Sequence, residues 1–247
     1  MGYEMTHPLG IETSRSERAA FIRRTYAHLA GAILAFVAIE AAIFGVLRPM
    51  IGSDFDQALF SMFRSQFSWL LVMVAFIGVS WLAQYWAFNG GAPGLQYAGL
   101  GLYVIAQALI FVPILYVAMF LIPSAHGRGF DPSLVGQAGI LTMCLFAGLT
   151  AVVFFTGKDF SFLGPIISIA GFVALGVIVC AIIFGFTLGL LFSLAMIVLA
   201  AGAILYDTSN ILHKFRMDQH VAASLSLFAS VALLFYYVLL ALIQSRR

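Results

Sequence analysis

Two carboxylates stand inside long apolar runs of this chain, and each could do ionic chemistry where charge is costly. Asp207 falls in the stretch Leu205-Tyr206-Asp207-Thr208-Ser209-Asn210-Ile211-Leu212-His213, and Glu40 lies within the run Thr25–Leu47. A charged side chain at a bilayer centre costs roughly 2.5–3.5 kcal/mol on insertion scales, so such residues are read as functional by default. Asp207, Asn210 and Ile211 are neighbours one turn apart on a helix, which puts a carboxylate and an amide on one face. That pattern suits a gate or an ion site. Calcium takes several oxygen ligands, and so few oxygens would hold it only transiently, with Asp207 as the ligand. The competing reading is that Asp207 merely ends its helix. It is weakened because an acidic residue at a helix C-terminus opposes the macrodipole. Lys214 continues the same face two turns on, close enough to neutralise the region without touching Asp207.

The elements that must position these residues are membrane helices. Of the 247 residues, 63% are hydrophobic and only 9% charged, whereas soluble domains carry about 25% charged residues. The net charge of +2 is small, and no basic run with interleaved aromatics points to nucleic acid. Cys144 and Cys180 are isolated in apolar runs, without the clustering of a disulfide framework or metal knuckle; they are expected in the core. Residues 1–22 form a polar tail, and residues 23–247 one membrane domain. The apolar run after the tail is too long for a signal-peptide core and ends at no cleavage site.

A hydrocarbon core of about 30 Å needs about 20 apolar residues as helix. The predicted spans are Thr25–Leu47, Trp69–Phe88, Tyr97–Ile122, Leu134–Thr156, Phe162–Phe184, Leu188–Leu212 and Val221–Ile243. Breaks fall at 89–94, at 123–132 and at Gly157-Lys158-Asp159. The connection Gly185–Gly189 is so short that spans five and six must form an antiparallel hairpin. The loop 48–68 mixes Asp54, Asp56 and Arg64 with Phe55, Leu59 and Phe60, and is expected to lie partly along the interface. Arg15, Arg18, Arg23, Arg24, Lys158, Lys214 and Arg216 outnumber Arg48, Arg64, Arg128, Arg246 and Arg247 on the opposite side. The bias predicts a cytoplasmic N-terminus and an outer C-terminus. Centring each span on the bilayer places Asp207 and Glu40 on opposite sides of the midplane, ~16 Å apart in depth at 1.5 Å per residue. They read as two stations rather than one dyad, with Gln107 and Tyr103 as neutral partners for Glu40.

Other residues have simpler readings. Asp159 or Ser161 fits the N-cap of span five. Pro113 and Pro165 kink or begin helices, and the glycines of spans three to five, with Gly185 and Gly189, suit close helix contact. Enzyme readings fare poorly. Ser80, in Gly78-Val79-Ser80-Trp81, would need a base in reach, yet no histidine falls mid-span. There is no H-E-x-x-H motif, and Lys158 and Lys214 sit at loops, where a retinal Schiff base cannot form.

Gly157-Lys158-Asp159-Phe160-Ser161-Phe162-Leu163-Gly164 and Leu205-Tyr206-Asp207-Thr208-Ser209-Asn210-Ile211 resemble the signature segments of the Bax inhibitor family, most closely its bacterial YccA-like branch. The motif residues are Asp159, Phe160, Ser161, Tyr206, Asp207 and Thr208. The resemblance implies an all-α, seven-span bundle around a central, less hydrophobic last helix. It also implies two roles. Some members are pH-sensitive calcium leak pathways, in which the aspartate of span six pairs with another in span seven. YccA-like members associate with the membrane-bound, ATP-dependent protease FtsH and modulate it. Aligned on the last span, Ser230 stands where the second aspartate would be. The mechanism that depends on two like charges is therefore lost, although Ser230 could still hydrogen-bond Asp207.

The expectation is a non-enzymatic polytopic protein without a resident cofactor, in a bacterial inner membrane. It would be a cation leak or ion sensor around Asp207, with Glu40, Ser230 and Asn210 secondary. Otherwise it would be a partner of FtsH that transports nothing.

Overall fold

The computed structural model describes residues 9–64, 66–89, 92–122 and 130–246. Among them the chain is all helix and loop, without a strand. In order, the helices are α1 (Leu9–Ala42), α2 (Arg48–Ile51), α3 (Ser53–Arg64), α4 (Gln66–Asn89), α5 (Pro93–Tyr116), α6 (Ser133–Thr156), α7 (Leu163–Phe184), α8 (Leu190–His213) and α9 (His220–Ser245). Among the described residues, seven stretches are long and apolar enough to cross a membrane: Ser16–Ile51, Ser68–Asn89, Pro93–Leu121, Ser133–Thr156, Leu163–Phe184, Leu190–His213 and His220–Ser245. Helices satisfy every backbone group within the segment, which is why apolar runs of this length fold so in lipid.

Local chemistry sets the ends. Pro93 opens α5, where its missing N–H is no loss. Gly157 closes α6 and Gly185 closes α7, at φ +59° and +70°; each donates its N–H back to the last turn. Gly189 opens α8, so the pair Gly185 and Gly189 shapes helix ends and not a helix contact. The five residues between α7 and α8 make the expected hairpin, and the two helices pack together.

α9 is the centre, packing against α1, α4, α5, α6 and α8. It is no less apolar than most of the helices around it, contrary to expectation. Its place follows from small residues such as Ala222, Ala223, Ser224 and Ser230, all buried, that admit neighbours on several sides. α7 lies outermost, with only Ala174 and Ala181 buried. Cys144 and Cys180 are both exposed on the outer surface of the bundle, not in its core. Each occupies a helix side turned to lipid, where a small apolar thiol is equally at home.

Of the expected tail, residues 1–8 lie outside the described residues; from Leu9 the chain is helical and runs without a break into the first span. The breaks expected at 89–94 and 123–132 fall partly outside them as well. The segment after the first span is not a loop but α2 and α3. Leu59 and Phe55 pack with Val112 and Tyr116 of α5, and Arg48 grips Asp56 through two bonds of 3.1 and 3.2 Å. The Arg48 guanidinium also lies 3.8 Å over the Phe120 ring. Two π-helical turns, Ile43–Leu47 and Val117–Leu121, widen the C-terminal ends of α1 and α5. The second follows Pro113, which removes a donor from the helix ladder.

Candidate functional site

The α8–α9 interface is built from matched polar pairs. Ser230 Oγ donates to Asp207 Oδ2 at 2.5 Å, and Ser193 Oγ donates to Gln244 Oε1 at 2.8 Å. Gln244 Nε2 in turn donates to the Leu188 carbonyl at 2.8 Å. Both pairs keep one antiparallel register. Asp207 and Ser230 are buried, at 9% and 8% exposure. Asn210, one turn on, is buried too, and its Oδ1 has no hydrogen-bond partner. Tyr103 of α5 lies within electrostatic reach of Asp207. The expected partnership of Asp207 with Ser230 is thus present as a direct bond.

The signature segment Gly157–Gly164 docks on the C-terminal half of α8. Ser209 Oγ donates to Asp159 Oδ1 at 3.1 Å and accepts from the Phe160 N–H at 2.8 Å. The Ser161 N–H also reaches Asp159 Oδ1, at 2.8 Å. Asp159 therefore closes a turn ahead of α7 and does not cap it. The helix begins at Leu163, with no side-chain cap, because Ser161 and Phe162 complete the turn. The Ser161 hydroxyl and N–H, then the Ser209 hydroxyl and the charge of Lys214, hold the Asp159 carboxyl below its ordinary range.

Gly164 completes the joint. A Cβ there would meet Tyr206 Cε2 at 2.8 Å, so the absence of a side chain lets the Tyr206 ring lie on the start of α7. Gly99 plays the same part between α5 and α4, where a Cβ would meet the Ala83 carbonyl oxygen at 2.6 Å. Gly101, Gly136, Gly139, Gly148, Gly171 and Gly176 face open space, so close contact is not the reason for them. Behind the joint, the hydroxyls of Tyr26, Thr150 and Thr208 face one another without closing to hydrogen-bond geometry.

Glu40 belongs elsewhere. It is 7% exposed, and neither carboxyl oxygen has a hydrogen-bond partner, so Gln107 and Tyr103 do not serve it. It lines a separate apolar cavity between α1, α6 and α9. The expected depth separation from Asp207 also fails. His28 packs on His220 and Phe36 on Phe228, so α1 and α9 run parallel in constant register. That register sets Glu40 beside Ala232, two residues from Ser230, or about 3 Å along the axis. Side-chain pairing sets these levels, and the helices are not centred on one plane as hydropathy windows assume. The two carboxylates sit at nearly one depth, yet Asp207 does not line the cavity that holds Glu40.

Ser80 is buried with a hydroxyl that has no hydrogen-bond partner. It has no base to activate it as a nucleophile.

Sequence reasoning missed Ser209, Ser193, Gln244 and Arg18. Arg18 Nε donates to the Leu212 carbonyl at 3.0 Å and Nη1 to the Phe215 carbonyl at 2.6 Å, tying α1 to the end of α8. A basic residue suits those unsatisfied carbonyls and the negative end of the helix dipole. A serine inside a predicted span was the available signal for Ser209 and Ser193, and an amide just past the end of one was the signal for Gln244. Arg18 offered none, because its target lies 194 residues away.

The comparisons with known proteins agree with this architecture. The family model described as inhibitor of apoptosis-promoting Bax1 matches residues 18–247. The chain is 36% identical over 120 residues to the BI1-like protein of Arabidopsis thaliana, covering 43% of each chain. It is 31% identical over 117 residues to protein lifeguard 4 of Mus musculus, covering 44% of this chain and 47% of the relative. In both, the aligned stretch spans less than half the length of the relative. A longer match, 26% identical over 245 residues, joins it to protein LIFEGUARD 4 of Arabidopsis thaliana, covering 96% of this chain and 90% of that one. The family match takes in α8, α9 and the segment before α7, where the Asp207, Ser230, Asp159 and Ser209 contacts lie, and the chain belongs to the Bax inhibitor family.

Proposed function

We propose that this non-enzymatic membrane protein responds to ions through the Asp207–Ser230 contact, which gates a cation leak with calcium as the first cation to test. The observation that carries the reading is a carboxylate buried at the bundle centre and held by a single hydroxyl from α9. Its neighbour Asn210 offers an oxygen with no protein partner. A proton or cation on Asp207 would compete with Ser230 and loosen α8 from α9. The oxygens of Asp207, Asn210 and Ser230 are fewer than the six to eight calcium takes, which favours passage over storage. The lysine and arginine bias supports a cytoplasmic N-terminus, and the bacterial inner membrane follows from the YccA-like resemblance alone.

The test is calcium flux into liposomes holding the purified protein, at pH 6 and pH 8, beside Asp207→Asn. Flux above empty liposomes that changes in the variant supports the gate. No flux at either pH removes it.

A second reading rests on Arg18. It ties a helix that begins at Leu9 to the α8–α9 turn, so the N-terminal segment is coupled to the Asp207 helix. That arrangement suits a regulatory partner of a membrane-bound protease such as FtsH. Deleting residues 1–15, which leaves Arg18 in place, would then abolish co-purification with the protease while leaving any flux intact.

A further inference from the structure

The cavity that holds Glu40 has no part in the Asp207 contact. It has a volume of about 620 Å³, within the range of small-molecule sites. Phe36, Phe44, Met119, Phe228 and Phe235 are among its walls, and only Glu40 and Thr142 are polar. The two widened π-turns contribute Phe44, Gly45 and Met119. Tyr26 holds α1 against Phe146 and Phe154 of α6 on the cytoplasmic side. Further out, the exposed Val37 and Ala41 of α1 and Met143 of α6 border the cavity. All three lie inside membrane spans, so one side of the cavity faces lipid, while the exposed Phe130 and Pro132 border it just ahead of the α6 span.

Three buried oxygens in this apolar chamber have no partner: Glu40 Oε1 and Oε2 and Thr142 Oγ1. Glu40 is 93% buried by its 7% exposure, and Thr142 is fully buried. A buried carboxyl left unpaired is costly, and the register described above keeps Asp207 bonded to Ser230 and out of reach as a partner. A ligand from outside the chain would supply the missing complement if it brought N–H donors and an apolar body to fill the chamber.

We propose that the Glu40 cavity is a binding site for a lipophilic primary amine, with its ammonium on Glu40 and Thr142 and its apolar body among the phenylalanines. An ammonium has three donors and no acceptor, matching the three oxygens. A metal ion fits less well, since the apolar walls supply no further oxygens beyond those of Glu40 and Thr142. The site is independent of the Asp207 gate, and each stands if the other fails.

The experiment uses the full chain in lipid nanodiscs and dodecylamine carrying a diazirine near its chain end. Crosslinked peptides are then mapped by mass spectrometry. The expected labels fall on 36–44 and 135–143, are displaced by excess dodecylamine, and need at least tenfold more dodecanol. Glu40→Gln lowers amine labelling at least tenfold. Gly139→Phe, which projects into open space at the cavity wall, removes it while Tm is retained. Equal displacement by dodecanol, labelling unchanged in Glu40→Gln, or label spread evenly over the outer face of α7 would overturn the proposal. Should Glu40→Gln not fold, Gly139→Phe decides alone, and cavity labelling that persists there has the same force.

Discussion

Ser230 Oγ lies 2.5 Å from Asp207 Oδ2, across an interface where α8 and α9 otherwise meet through apolar side chains and one more polar pair. The acceptor is a carboxylate shut off from water, and Ser230 is its hydrogen-bond donor.

Removing that donor should cost more than removing its counterpart at the other end of the helices. Interhelical hydrogen bonds in membranes average about 0.6 kcal/mol, with a maximum near 1.7. Leaving a carboxylate unsatisfied pushes the cost upward. Ser230→Ala should therefore lose about 1–2 kcal/mol and Ser193→Ala about 0.6 kcal/mol. Thermal unfolding of both variants in one detergent compares them, and equal losses would remove the special status of Asp207.

The two crowded glycines should differ. Alanine at Gly99 drives a methyl into the Ala83 carbonyl oxygen and the Ala87 nitrogen, which are helix backbone and cannot yield. Alanine at Gly164 meets only the far end of the Tyr206 ring. Overpacking costs typically 1–3 kcal/mol, so Gly99→Ala should fall near about 3 kcal/mol and Gly164→Ala near about 1 kcal/mol. Adding Tyr206→Ala should relieve the second and leave the first unchanged, as read by Tm in a double-mutant cycle.

The Asp159 turn should be insensitive to mild acid. Its carboxyl is held below the ordinary range by Ser161, Ser209 and Lys214. A depressed carboxyl contributes stability above its unfolded value of about 3.9 and loses it as pH falls through the lower folded value. The Tm difference between the native chain and Asp159→Asn should therefore hold constant from pH 7 to pH 5 and shrink only below about pH 4. A difference that vanishes between pH 7 and pH 6 would contradict this. Any response of the protein to pH between 6 and 8 must then arise elsewhere.

Cys144 and Cys180 should report the lipid-facing surface. Both are exposed on helices that lie within spans. In liposomes they should react with an apolar maleimide and resist a charged thiosulfonate, and detergent should abolish the difference. Equal reaction with both reagents in intact liposomes would place them in water.

The seven spans and the α7–α8 hairpin were legible because hydropathy over about 20 residues measures what the bilayer selects. The partnership of Asp207 with Ser230 was legible only by alignment to a resemblance, since no spacing rule joins residues on separate helices. Depth was not legible. Glu40 and Asp207 looked ~16 Å apart at 1.5 Å per residue, yet His28 on His220 and Phe36 on Phe228 bring them nearly level. Which face a cysteine or glycine presents is decided by neighbours on other helices, as Tyr206 decides it for Gly164. The same holds for Ser209, whose oxygen looks like any polar residue in a signature until Asp159 and Phe160 are folded onto it.

The two polar pairs between α8 and α9 also limit how these helices can part. They stand 14 residues apart on each helix, about 21 Å along the axis. A slide of one helix past the other would break both rungs at once. A rotation about Ser193 and Gln244 breaks only the rung at Asp207, and the Gln244 bond to Leu188 anchors that pivot. The opening proposed at Asp207 would therefore be a scissoring motion whose hinge lies at the far end of the pair, with its largest displacement on the turn that Arg18 grips.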